Sequence, residues 1–406
     1  MLRRARSRPL APSAALDEGR LLRPAGALLA VAIIVTGCSA ALSPPAVAGL
    51  STPTPLSSTA PTRSPSAPPS VPSPSATPEP INVYAATVDG HLSSKVANYP
   101  PRVYVPNSAD GTVDVIDPAT FRVVDRLQVG RIPHHIAPSW DMTHLYVDTE
   151  GSSSLSLIDP MTAKIAGSIP VAYPYNLYFT PDGTRAIVVA ERLQRIDFYD
   201  SQTWKQLGSV TVPWRGVDHL DFSADGSFLL ASTEWTGMVI KIDIATMSMT
   251  GSLAVGGLPI DVRLAPDGSV FYVANQGRQG VSVIDAANLT EVQFIPTARG
   301  AHGLEISRDT HFLYVSNRLA GTISVVNLRT RAVVATWATG GSPDMMALSP
   351  NGGELWVSGR FDRSVYVVDT ATGILIHQIA VGGAPHGLTF FPNPGRFSLG
   401  HNGVYR

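Results

Sequence analysis

The chain has 406 residues, 44% of them hydrophobic and only 15% charged, with 35 Gly and 34 Pro. That apolar content can build a large core and excludes a wholly disordered protein. Thirty Lys and Arg against 31 Asp and Glu leave a net charge of -1, which excludes a global basic field for nucleic acid; the single cysteine excludes an internal disulfide framework and any multi-cysteine metal cage.

Residues 1–23 carry Arg3, Arg4, Arg6, Arg8, Arg20 and Arg23, and an apolar run follows from Ala25 to Thr36. The run is short for a bilayer span and suits the core of a signal peptide. It ends in Val35-Thr36-Gly37-Cys38, and Cys38 is the lone cysteine. This ending resembles the lipobox of bacterial lipoproteins. The resemblance implies a signal peptide over 1–37, a lipid on the Cys38 sulfur and Cys38 as the mature N-terminus. One acyl chain holds weakly, so stable anchoring takes a second chain or a further membrane contact. The alternative is an ordinary cleaved signal in which Cys38 is incidental.

Residues 41–80 contain 12 Pro and 14 Ser or Thr, no aromatic residue, and only Arg63 and Glu79 as charges. Such a segment buries too little apolar surface to offset its ordering entropy. Its prolines favour polyproline II, and forty residues extended at ~3.1 Å each reach on the order of 120 Å. Residues 38–80 are therefore expected to be a lipidated stalk that holds a folded head, residues 81–406, off the membrane.

From Arg102 onward the chain repeats. A β-branched strand closed by an acid or amide recurs at Asp117, Asp159, Asp200, Asp243, Asp285, Asn327 and Asp369, at spacings of 42, 41, 43, 42, 42 and 42. Each unit holds four strand-like pieces. In the fifth they are Ile260–Ala265, the turn Pro266-Asp267-Gly268, Val270–Asn275, Gly280–Asp285 and Glu291–Ile295. Four short strands per unit of this length predict a seven-bladed, all-β propeller of four-stranded blades. The repeats begin at a second strand, Arg102–Val105, and end on an unpartnered first strand, His386–Phe391. Pairing of these N- and C-terminal strands is expected to close the ring and leave no open edge. The flanks 81–101 and 396–406 are expected near that seam.

The units resemble the YVTN-type, YncE-like β-propeller repeat family. The matching pieces are Tyr104-Val-Pro-Asn107, Tyr272-Val-Ala-Asn275 and Tyr314-Val-Ser-Asn317, the following Val-x-Val-Ile-Asp strands and the Pro-Asp-Gly turn. Units two to four depart from the pattern, reading Tyr146-Val-Asp-Thr149, Ile187-Val-Val-Ala190 and Leu229-Leu-Ala-Ser232. The resemblance implies the fold. For function it implies only a range, because related propellers serve as binding platforms, electron-transfer subunits and hydrolases.

The anchor acids are each followed three residues later by Thr120, Thr162, Thr203, Thr246, Asn288, Thr330 or Thr372. That spacing suits a side-chain-capped turn, so these acids are expected to be structural. More informative positions lie where each blade's innermost strand begins, at the rim of the central channel. They form two rings. One is His134, Tyr175, Asp218, Ile260, His302, Asp344 and His386; the other is His135, Asn176, His219, Asp261, Gly303, Met345 and Gly387. Five of the ten histidines fall there. They are expected either to hydrogen-bond loops and water at a wet mouth, or to converge as a divalent metal site, a small-ligand site or an acid–base pair. The candidate cluster is His134, His135, Asp218, His219, Asp261, His302, Asp344 and His386. Arg131, Arg215 and Arg299 precede three of these histidines and are candidates for binding an anion.

No phosphate-binding loop, dinucleotide fingerprint, Gly-x-Ser-x-Gly elbow or haem-attachment motif occurs. No catalytic residue is assigned. The expectation is a lipid-anchored, extracytoplasmic propeller that acts as a binding or scaffold module. It would meet the membrane through its lipid, a small-molecule or protein ligand on the propeller face, and no nucleic acid. The alternative is a metal-binding or lactonase-like hydrolytic propeller that uses the axial His/Asp cluster, with a divalent metal ion as its cofactor.

Overall fold

The computed structural model describes residues 81–406. Cys38, the signal peptide and the stalk lie outside the described residues. Within them the chain forms seven four-stranded antiparallel sheets. The innermost strands of blades one to six are Pro133–Pro138, Asn176–Phe179, Val217–Phe222, Pro259–Leu264, Ala301–Ile306 and Pro343–Leu348. Blade seven is the closing blade. Its innermost strand, Thr389–Phe391, pairs with Arg102–Asn107 in the register Arg102↔Phe391 and Tyr104↔Thr389. Thr112–Asp117 and Arg122–Gln128 complete it. The ring closes as expected, but the closing strand is shorter than residues 386–391. His386 N–H still donates to the Pro106 carbonyl of the closing blade at 3.0 Å, but Gly387 leans onto blade one, where its N–H donates to the His134 carbonyl at 2.9 Å and Ile136 N–H to its carbonyl at 3.1 Å.

Burial grades outward from the axis. Pro259–Leu264 is buried at every position, whereas the outermost strand of the same blade, Thr290–Pro296, is mostly exposed. The core lies between blade faces, as where Tyr178, Phe198, Phe222, Leu229 and Ile240 of neighbouring blades meet. The capped turns also form as expected. Thr120 Oγ1 donates to Asp117 Oδ2 at 2.9 Å, and the same bond recurs at Thr162, Thr203, Thr246 and Thr372. Thr330 repeats it on Asn327, and at Asn288 the backbone N–H serves instead.

Five innermost strands carry a β-bulge at their first turn. Pro133 pairs with Thr149 but Ile136 with Val147, so three steps on one strand match two on the other. The same offset falls after Val217, Pro259, Ala301 and Pro343. A bulge leaves one residue outside the ladder and re-aims its side chain. In three of the five blades the freed backbone is tied by a serine on the second strand, while Ala274 stands at that register in blade four. Ser232 Oγ accepts from His219 N–H at 3.2 Å, Ser316 Oγ from Gly303 N–H at 2.8 Å, and Ser358 Oγ from Met345 N–H at 3.2 Å. In blade one Asp148 stands in the serine's register, fully buried, and neither of its oxygens has a hydrogen-bond partner among the described residues. Burial drives its pKa well above the usual carboxylate range.

Both termini reach the seam, as expected, Tyr405 packing there with Tyr104 and Phe391, and both extend beyond it. Residues 81–101 touch blade four, where Val83 N–H donates to the Pro266 carbonyl and the Tyr84 hydroxyl to the Leu264 carbonyl. They also reach the seam, where Leu92, Val96 and Tyr99 pack with Tyr104 and Phe391. Residues 396–406 fold back as a hairpin, with Leu399 N–H on the Val404 carbonyl at 2.7 Å and Arg406 N–H on the Phe397 carbonyl at 3.1 Å. This hairpin lies among the innermost strands. Phe179 N–H donates to the Leu399 carbonyl, and Arg406 Nη2 to Asp221 Oδ1 at 2.7 Å. Beside the hairpin, Tyr84, Arg263, Glu305, Arg308 and Tyr405 line a small cavity. Burial pushes the Glu305 pKa up to about 7 despite Arg263 and Arg308.

Two substitutions test these buried acids. Asp148→Ser restores the serine of three other blades and removes an unpaired buried carboxyl, so it should stabilise the head at pH 7 by about 1–3 kcal/mol. A lowered melting temperature would contradict this account. Glu305 has a raised folded pKa, so its contribution is complete below the unfolded value of 4.5 and is lost as pH climbs through about 7. Glu305→Gln should therefore match the parent in urea unfolding at about pH 3.5 and exceed it by up to ~3 kcal/mol at pH 8. Parallel stability–pH curves would exclude that role.

Candidate metal centre

In five blades the bulges carry the ring residues singled out in the sequence; Tyr175, Asn176, His386 and Gly387 stand outside them. His134, His135, Asp218, His219, Asp261, His302, Asp344 and His386 are all buried at the channel end of their strands, none more than 8% exposed. His401, at the tip of the C-terminal hairpin, joins them and is fully buried. The ring centroids run continuously: His134–His386 5.6 Å, His386–His135 4.5 Å, His135–His219 5.1 Å, His219–His401 4.8 Å and His401–His135 5.0 Å. Close approach at two glycines permits this density. A Cβ at Gly387 would run into His135 Nδ1 and Asn402 Oδ1, and one at Gly400 would press on the Leu177 carbonyl.

Among the described residues, two groups of three side chains are close enough to share an ion, with ligand atoms within 4.8 Å of one another. The first is His135, His219 and His401. Each Nδ1 faces an oxygen: Asn402 Oδ1 at 3.0 Å from His135, Asn176 Oδ1 at 3.0 Å from His401, and Asp218 Oδ1 at 2.8 Å from His219. For His135 and His401 the amide oxygens assign the ring proton to Nδ1 and leave Nε2 as the lone pair; the His219–Asp218 contact is an ion pair without hydrogen-bond geometry and assigns no tautomer. The Nε2 atoms of His135 and His219 have no hydrogen-bond partner among the described residues, and His401 Nε2 meets the Asn402 amide nitrogen at 3.3 Å and Asp261 Oδ1 at 3.6 Å. Outer oxygens that fix the tautomer of inward-facing imidazoles are the usual support of metal-bound histidine.

Electrostatics agree for two of the three. Burial holds the His135 pKa well below its ordinary value, helped by His401 and His219. Burial likewise lowers His401 to about 3, against the pull of Asp261. For His219 burial also works downward, but Asp218 and Asp261 outweigh it and raise the pKa. Burial acts to raise Asp261, yet Arg263 and His401 hold it low.

The second group, His302, Asp344 and His386, is differently provided. Arg318 Nη2 donates to Asp344 Oδ1 at 2.6 Å and also contacts His302 Nε2, while His302 Nδ1 lies 2.9 Å from Asp344 Oδ1. His386 Nε2 is farther, 3.6 Å from Asp344 Oδ2. A guanidinium already neutralises this carboxylate, so the donor set suits a cation poorly. At its side His134 Nε2 meets Glu150 Oε2 at 3.2 Å, and Glu150 in turn holds Arg192 at 2.7 Å.

The three arginines picked from the sequence stand elsewhere. Arg131, Arg215 and Arg299 are exposed on separate loops; Arg131 donates to the Gly151 carbonyl at 2.5 Å and Arg299 to the Leu319 carbonyl. The guanidinium at the cluster is Arg318, which begins a loop after a second strand. The repeat does not reveal His401, Asn402, Glu150 or Arg318, because none sits at the start of an innermost strand. The only signal for His401 was a His-Asn pair between glycines beyond the last blade.

Among solved structures the chain is similar to Kuenenia stuttgartiensis hydrazine synthase at 20% identity, with 69% of this chain and 98% of that chain covered and a TM-score of 0.60. It is similar to a functionally unknown protein from Desulfotomaculum acetoxidans DSM 771 at 17% identity, 71% and 98% coverage and a TM-score of 0.62. Dihydro-heme d1 dehydrogenase NirN in complex with DHE matches at 18% identity, 80% and 83% coverage and a TM-score of 0.56. Identities this low carry the fold alone. No curated protein matches the chain. Residues 79–394 match the YNCE-like beta-propeller family, and the chain belongs to that family.

Proposed function

We propose that this chain is a lipid-anchored, extracytoplasmic binding module whose propeller holds a transition-metal ion at its axis, on His135, His219 and His401. The observation that carries the metal is the three buried imidazoles with ligand atoms within 4.8 Å of one another, His135 and His401 held through Nδ1 by Asn402 and Asn176 and His219 lying beside Asp218. Three nitrogen donors without a thiolate suit Zn²⁺ or Cu²⁺ better than Mg²⁺ or Ca²⁺. Complete burial of all three rings favours holding an ion over turning over a bulky substrate. The anchor rests on the sequence alone, on Cys38 at the end of the apolar run and the Pro/Ser/Thr-rich stretch after it.

The full chain, purified without chelators and analysed by inductively coupled plasma mass spectrometry, should carry about one Zn²⁺ or Cu²⁺ per molecule. His135→Ala and His219→Ala should each weaken the affinity by more than ~10-fold, since even outer partners of metal ligands contribute that much. A folded parent that takes up neither ion from supplemented medium would sink the metal assignment. The chain should also fractionate with membranes, and Cys38→Ser should release it. Unmodified Cys38 in the mature protein would remove the anchor.

A further inference from the structure

The three imidazoles come from three parts of the chain: His135 from blade one, His219 from blade three and His401 from the C-terminal hairpin. The first two are fixed by bulges in four-stranded sheets. The third stands on a hairpin outside the ladders, held by packing of Leu399, Val404 and Tyr405 and by Arg406 on Asp221. The hairpin joins no blade as a ladder strand; Tyr178↔Gly400 is a single bridge, and its direct backbone bonds to the blades include Phe179 N–H to Leu399 and Ser398 N–H to the Trp140 carbonyl. At the axis it contributes both a ligand and the support of another ligand. His401 faces the other two rings, and the neighbouring Asn402 Oδ1 accepts from His135 Nδ1.

We propose that the hairpin is a metal-locked latch: seating of residues 396–406 and occupation of the tri-imidazole site are one coupled equilibrium. This rests on the metal-binding reading above and goes beyond it, because a metal held by the blades alone would leave the hairpin indifferent. The coupling follows from linkage. An ion that grips His401 together with His135 and His219 binds only the seated form in full. It therefore favours that form by the factor 1 + [M]/Kd, about 100-fold when the free ion stands at 100 times Kd. Unseating also withdraws Asn402 from His135, so the open form loses one ligand and the support of a second. The metal thus behaves as a staple between the chain's end and two blades that lie apart in sequence.

Native-state hydrogen exchange of the full chain, with Zn²⁺ alone as probe, tests the latch. Zn²⁺ at 100 times its Kd should slow exchange at the hydrogen-bonded amides of Leu399, Val404 and Arg406 by about 100-fold. Amides of the outermost strands, such as those in Ala332–Ala338, should not respond. His401→Ala and the size-conserving His401→Gln, both checked for an unchanged β-sheet circular dichroism spectrum, should lose Zn²⁺ affinity by at least ~10-fold. Two results would overturn the latch while leaving the metal site standing: Zn²⁺ bound with no change in hairpin exchange, or parental affinity in both His401 variants. Failure of the parent to bind Zn²⁺ or Cu²⁺ at all would remove the metal site and the latch with it.

Discussion

The pairing of Thr389–Phe391 with Arg102–Asn107 holds the two ends of the repeat array together. Closing a loop of this length costs roughly 5 kcal/mol of chain entropy beyond a constant, and few residue pairs lie directly across the seam. The seam is reinforced from blade one, where Gly387 exchanges backbone hydrogen bonds with His134 and Ile136. Ring closure and the placing of His134, His135 and His386 are thus one event. Were the seam to open, seven strand ends would no longer converge and the axial cluster would have no geometry.

Convergence brings an electrostatic problem that the molecule answers in two ways. Six buried imidazoles share the axis, where a charged ring is costly. Burial keeps most of them neutral, His135 and His386 well below their ordinary pKa. The acids among them are balanced locally: Asp344 by Arg318, Asp261 by Arg263, Glu150 by Arg192. Only around His219 do carboxylates outweigh burial. The result is an axis with one zone already neutralised by arginine and another of nearly bare nitrogen donors.

The blades were legible in the sequence because each repeats one physical solution seven times. The Asp117-to-Thr120 turn and its copies could be read from spacing, since the side chain caps a turn within its own four residues. The rings of His134 and His135 were legible for the same reason, as deviations at a fixed step of the repeat. His401 was not, because a tail outside the repeat has no register to compare with. Arg318 was hidden differently. It lies in a loop where arginine is unremarkable, and only the third dimension brings it to Asp344. The candidate anion ligands Arg131, Arg215 and Arg299 were grouped by sequence proximity to histidines, yet loops of separate blades turn them outward. Contact across blades is what single-blade patterning leaves out.

The bulge at the head of the innermost strands separates two kinds of selection. Because its residue stands outside the ladder, with a serine on the freed backbone in three blades, the side chain there is free of any pairing rule. Histidine, aspartate, isoleucine, glycine and methionine all occupy such positions in this one chain without disturbing the sheet behind them. A propeller built this way can acquire or discard axial ligands one blade at a time, each by a point substitution. New chemistry at the centre is then accessible to evolution, or to a protein engineer, without first searching for a new fold.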